Sequence, residues 1–150
     1  MKVYIVRHGE VPHNLLKMYN SENEDLTDNG IMQALELRDK IKNIKFDMVI
    51  SSPLLRTIHT ENILTYYDDS IITDDRLIER DCGDLSGKSN KCTDREEYWN
   101  YYTKIQYGTS ENIQEFFKRV YDFLDELKTR NYESVLIVAH SGVSKAFSGY

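Results

Sequence analysis

Cysteine is nearly absent: Cys82 and Cys92 are the only two in 150 residues. Two cysteines cannot build a disulfide framework. Without a Cys-x-x-Cys or a spaced histidine pair they offer no zinc site either. The expectation is two free thiols in a reducing cytoplasm, with a single bridge across the intervening loop as the alternative. Long apolar runs are also missing. No stretch approaches the ~20 residues of a membrane span, and Met1–Val6 is too short for a secretory signal and has no cleavage site. A block of lysine and arginine is lacking as well. With 19 cationic against 25 acidic residues the chain carries a net charge of −6, which argues against nucleic acid as a partner. No repeat, low-complexity tract or linker divides it, so residues 1–150 are expected to form one domain.

What is present is an alternation of strand and helix signals. Val3–Val6 is a short β-branched run suited to a strand covered on both faces. Thr27 suits the N-cap of a helix over Asp28–Asn43, with Ala34, Leu37, Ile41 and Ile44 at helical spacing. Phe46–Ser51 reads as a second strand. Ser52-Pro53 reads as the cap and first position of a helix running to Tyr66. Ser70–Thr73 reads as a third strand, Arg80–Cys92 as loop, and Asp94–Tyr102 as a further helix. Ser110 is placed as cap of the strongest helix, whose stripe is Ile113, Phe116, Phe117, Val120, Leu124 and Leu127. Ser134–Ala139 is the last strand, and a helix should start near Gly142. The pattern predicts an α/β fold, a three-layer sandwich around a mostly parallel sheet.

In such a sheet, ligands sit beyond the C-terminal strand ends. The residues expected there are Arg7-His8-Gly9-Glu10, then Ser51-Ser52 with Arg56, then His140-Ser141-Gly142. In an acidic chain, arginines gathered at one edge point to an anion. Arg7 and Arg56 each offer a planar fork that can hold two phosphate oxygens. The turns at Ser52-Pro53 and Ser141-Gly142 would add helix N-termini. A neutral imidazole is a good nucleophile toward phosphorus, provided that its second nitrogen is held, for instance by a backbone carbonyl. A leaving alkoxide needs a proton, which a partly buried carboxylic acid can give.

These segments resemble the histidine phosphatase superfamily, the phosphoglycerate-mutase-like fold. The blocks are Arg7-His8-Gly9-Glu10 with Asn14, Leu26–Gly30 with Gln33-Ala34, and Ser51–Leu54 with Arg56-Thr57 and Thr60. Leu77, Glu79, Gly83 and Gly87 follow, and Val138–Val143 closes the series. The resemblance runs to about residue 147. It implies His8 as nucleophile, Arg7, Arg56 and His140 on the phosphate, and Glu79 as proton donor, with Asp81 or Asp84 as other candidates. Asn14 and Ser141 would contact substrate. Two arginines, two helix termini and His140 would provide the positive charge that Mg²⁺ supplies elsewhere, so no metal and no cofactor is expected. Val11, Thr109 and Ser141 depart from the residues most frequent in the family. The short segment Lys88–Gly108 lacks the insertion of the mutase branch and favours a phosphatase acting on a small phosphorylated metabolite. The alternatives are a phosphoglycerate mutase and a catalytically silent phospholigand-binding protein.

Smaller expectations complete the picture. His13 and His59 should be solvated or behind the site, Glu10 should orient rather than react, and Glu22–Asp25 should be a solvated loop. Arg80 and Lys91 are further substrate contacts by resemblance. Relatives continue past the last helix, so the chain is expected to be truncated. The sheet would then keep an open edge, Val143, Ala146 and Phe147 would be poorly packed, and a homodimer could cover them.

Overall fold

The computed structural model describes residues 1–19, 24–68 and 70–150. Four parallel strands form the sheet: β1 (Lys2–Arg7), β2 (Met48–Ser51), β3 (Ile72–Thr73) and β4 (Ser134–Ala139), in the order β1-β4-β2-β3. Among the described residues six α-helices connect or follow them: α1 (Pro12–Leu15), α2 (Asp28–Ile41), α3 (Leu55–Leu64), α4 (Arg95–Tyr98), α5 (Ile113–Leu127) and α6 (Ser141–Ser148).

The central strand explains the layering. On β4 successive side chains point to opposite faces. Val135, Ile137 and Ala139 pack with the α5 and α6 residues Phe116, Val120, Val143 and Ala146. Leu136 and Val138 pack on the other side with Leu64, Leu37 and Ile41 of α3 and α2. The result is the α/β/α sandwich that the alternation of elements predicts.

Several boundaries differ from the sequence expectation. Thr27 does cap α2, accepting from the Gly30 N–H at 3.0 Å. Helix α3, however, starts at Leu55 with Leu54 as its N-cap. Ser52 is diverted to the site described below. Asn112 rather than Ser110 caps α5, through the Glu115 N–H. The Ser110 hydroxyl instead donates to the Cys82 carbonyl at 2.5 Å. On α5 the buried stripe takes in Phe123, while Phe117 is only partly buried and meets Tyr101 and Tyr121. The helix expected over Asp94–Tyr102 shrinks to the single turn of α4.

The C-terminal helix is not poorly packed. Val143 and Ala146 are fully buried, and Phe147 stacks on Phe123 with ring centroids 6.4 Å apart. An open edge is nonetheless present: β1 pairs with β4 alone among the described residues, and Val3 is exposed. Both cysteines are free. Glu22 lies outside the described residues. Glu24 and Asp25 are not simply solvated, because Glu24 lies 3.2 Å from the His13 ring and Asp25 lies 2.8 Å from that of His59.

Candidate active site

Register brings the site together. Arg7 pairs with Ala139 across β1 and β4, and Ser51 pairs with Val138 across β2 and β4. The next residue of each strand is therefore His8, His140 or Ser52, side by side at the C-terminal edge. The His8 and His140 rings sit edge to face with centroids 5.3 Å apart. Both are buried.

His8 has one committed nitrogen. Its Nδ1 lies 2.6 Å from the Gly9 carbonyl, an acceptor only, so Nδ1 carries the proton and Nε2 keeps its lone pair. Burial, aided by the charges of Arg56 and Arg7, pushes the imidazole down from 6.5 to about 3. The ring is neutral at physiological pH. The turn that presents it is held by the Gly9 N–H donating to Thr60 Oγ1 at 3.0 Å and the Glu10 N–H donating to Gln33 Oε1 at 2.8 Å. Gly9 is glycine because of a close approach, since a Cβ there would lie 2.4 Å from the Gly30 carbonyl oxygen.

His140 is also held neutral, its pKa lowered well below 6.5 by burial and then by Arg56. It therefore serves as a hydrogen-bonding group and not as a cation. Its Nε2 lies 2.9 Å from Ser52 Oγ, and its buried Nδ1 has no hydrogen-bond partner among the described residues. An orphaned buried nitrogen is costly unless a ligand completes it. Arg56, from the first turn of α3, is 2% exposed. The positive charge of the edge comes from Arg56 and Arg7.

Glu79 faces this group from the loop after β3. Its Oε1 accepts from the Arg80 N–H and its Oε2 from the Gly142 N–H, both at 2.9 Å. Burial outweighs those donors and the nearby arginines, and the carboxyl pKa is raised. The first turn of α6 thus points the Gly142 N–H at Glu79 and not at open space. Arg119 on α5 fixes the loop by donating to the carbonyls of Arg76, Ile78 and Glu79 at 2.8, 2.7 and 3.1 Å. Nothing in the spacing of the sequence signals that clamp.

A cleft of about 290 Å³ opens over the edge and takes in Arg7, Asn14, Arg56, Glu79 and Ser141. Asn14 also caps α1, accepting from the Val11 N–H at 3.0 Å. Arg80, Asp81, Arg95, Tyr19, Tyr98 and Trp99 also line it. Among the other carboxylates weighed as acid, Asp81 lines the cleft, whereas Asp84 is turned to the Thr109 N–H at 3.2 Å. Lys91 does not line the cleft, though its neighbour Asn90 does. Glu10 accepts from Thr27 Oγ1 at 2.8 Å and braces the turn.

The sequence matches the family profile of the histidine phosphatase superfamily (branch 1) over residues 3–150. The chain belongs to that family. It is 29% identical to phosphoserine phosphatase 1 of Hydrogenobacter thermophilus, covering 94% of this chain and 71% of the relative. It is also 29% identical to the adenosylcobalamin/alpha-ribazole phosphatase of Escherichia coli, covering 95% and 75%. Among solved structures, a mutant phosphoserine phosphatase of Entamoeba histolytica in complex with phosphoserine superposes with a TM-score of 0.82. It is 25% identical over 97% of this chain and 77% of that one. The chain is accordingly a phosphatase of the metal-independent histidine class, a phosphoric monoester hydrolase.

Two expected results follow from this packing. Gly142→Ala would set a methyl 2.2 Å from Glu79 Oε1 and 2.4 Å from the Trp99 ring. Since Glu79 must move, kcat should fall at least about tenfold, with ~1–3 kcal/mol of overpacking. Steady-state kinetics and thermal melting read both, and an unchanged kcat would contradict the geometry. The second concerns acid. Between 6.5 and about 3 the unfolded chain protonates His8 while the folded chain does not. Stability should therefore drop as pH falls from 6.5 toward 3, then level off for this group. His8→Ala should show a shallower decline in the same window by denaturant titration. Equal slopes would mean that His8 is not held neutral.

Proposed function

We propose that the enzyme hydrolyses a small phosphorylated metabolite through a phosphohistidine on His8. The observation that carries this is the Nδ1 bond to Gly9, which leaves Nε2 as an unprotonated lone pair beside Arg7, Arg56 and His140. Nε2 attacks phosphorus as the bond to the ester oxygen breaks. The two arginines, with His140 Nδ1 as hydrogen-bond donor, stabilise the charge spread over the phosphoryl oxygens. Glu79, whose acid form burial favours, gives its proton to the leaving oxygen. Water then attacks the phosphohistidine, Glu79 takes back a proton, and phosphate leaves with His8 neutral again. Asn14 and Ser141 line the substrate's path. The free thiols of Cys82 and Cys92 fit a reducing, cytoplasmic setting.

A panel of phosphorylated metabolites assayed for phosphate release tests this reading. Release should dominate, and isomerisation of a phosphoglycerate without release would favour a mutase instead. Activity should persist in EDTA, because Arg7 and Arg56 supply the charge that Mg²⁺ supplies elsewhere. Loss in EDTA with recovery on adding Mg²⁺ would overturn that part.

A further inference from the structure

Five aromatic rings form a continuous stripe along the outer side of α5. Tyr102 meets Tyr101, Tyr101 meets Phe117, Phe117 meets Tyr121 and Tyr121 meets Tyr150, with ring centroids 5.3, 5.3, 5.8 and 5.3 Å apart. None of the five lines the cleft. Phe117 and Tyr121 are partly buried, while Tyr101, Tyr102 and Tyr150 are 41%, 83% and 44% exposed. At roughly 150–250 Å² a ring, the exposed parts come to about 400 Å² per copy, a large contiguous patch for a protein that stays alone.

The stripe is held at both ends. Gln114 Nε2 donates to the carbonyls of Tyr101 and Thr103, the latter at 3.1 Å, and ties that segment to the first turn of α5. At the other end the Tyr150 hydroxyl donates to Asp125, and the Lys128 ammonium lies 4.2 Å from the Tyr150 ring centroid. Rings already fixed in place lose little freedom when a partner covers them. The charges beside the rings choose that partner. Lys118, Asp122, Asp125 and Lys128 are all exposed on α5 and cancel in sign, so nothing there draws a polyanion. They do complement a reversed copy of the same helix. Across a two-fold axis between Tyr121 and Asp122, Lys118 faces Asp125 of the second copy, and Asp125 faces its Lys118. Tyr101 and Tyr102, at one end of the stripe, then come against Tyr150 of the second copy.

We propose that this stripe is the contact of a symmetric dimer, in which α5 packs antiparallel on α5 of a second copy of this chain. Tyrosine-rich contacts flanked by charge are what such interfaces use. With the stems of Lys118, Asp125 and Lys128 added to the rings, the two copies together bury on the order of 1,200 Å², the low end for a specific association. The cleft stays open, since none of the rings or charges involved lines it.

Analytical ultracentrifugation of the chain from about 1 to 500 µM should show a monomer–dimer equilibrium, with Kd on the order of 10 µM for so small an interface. Lys118→Glu and Asp125→Lys should each raise Kd about tenfold or more, because like charges then meet twice across the axis. The double variant Lys118→Glu/Asp125→Lys restores opposite signs and should return Kd to within about threefold of wild type. Tyr102→Ser, at the most exposed ring, should also weaken the dimer by about tenfold. All three positions are on the surface, so the variants should fold, and melting curves check this. A monomer throughout that range would overturn the proposal. So would a dimer whose Kd is unchanged in Lys118→Glu and Tyr102→Ser, which would put the contact elsewhere, as at the open edge of β1. A folded double variant no tighter than the single ones would contradict the two-fold pairing on which the proposal stands.

Discussion

His8→Ala is expected to lower kcat by about 10⁴-fold or more while the protein still folds. The loss is large because removing a nucleophile removes the whole covalent route and not one contact along it. Folding should survive because His8 stands at the end of β1, outside both apolar clusters. Removing a buried ring whose pKa is depressed to about 3 even relieves a penalty at low pH. Circular dichroism and melting establish the fold, and steady-state phosphate release gives the rate. Activity within tenfold of wild type, in a folded variant, would remove His8 from the mechanism.

Glu79→Gln should have the next largest effect, and its size should depend on the leaving group. With an alkyl phosphate the departing oxygen needs a proton, and losing a general acid costs about 10²–10⁴-fold. With para-nitrophenyl phosphate the departing phenolate needs little help, so the first burst of nitrophenol should stay within about tenfold of wild type. The glutamine keeps the side-chain shape but must set an NH₂ against either the Arg80 or the Gly142 N–H, which now both donate to the carboxylate. Thermal melting separates that cost from the chemistry. Because burial raises the Glu79 pKa, the acid form is favoured, and the alkyl-ester rate should decline on the alkaline side as the proton is lost. An equal loss for both leaving groups would assign Glu79 a purely structural part and return the proton to Asp81, which also borders the cleft.

The frame of the site was legible in the sequence because strand ends are. A β-branched run followed by Arg-His-Gly, and another followed by His-Ser-Gly, place their polar residues at one edge of any parallel sheet. Thr27 was readable as a cap because its side chain serves its own helix. Ser52 and Ser110 were misplaced for the opposite reason. Each has the right chemistry for a cap, yet its hydroxyl serves a partner distant in sequence, Ser52 at the His140 ring and Ser110 at the Cys82 carbonyl. His140 looked like part of the positive charge because the sequence does not show burial, which is what neutralises it. The rest of the cleft wall was least legible. Arg95 and Tyr19 are 76 positions apart and meet only because the loop before α4 is tied to residues 17–19. The ties are the Tyr19 N–H to Lys88 and the Asn90 N–H to Lys17. Arg119, which steadies the Glu79 loop from α5, reads in sequence as an ordinary surface arginine of an amphipathic helix.

The covalent intermediate is the centre of this account, and trapping it is the direct test. Enzyme mixed with a labelled phosphomonoester and quenched within one turnover should carry phosphate that is labile to acid and stable to alkali. Peptide mapping should place it on His8 at Nε2, since Nδ1 is committed to the Gly9 carbonyl. The label should disappear on chasing with unlabelled substrate and should never form in His8→Ala. Phosphate found on another residue, or turnover at full rate with no labelled histidine at any quench time, would contradict it.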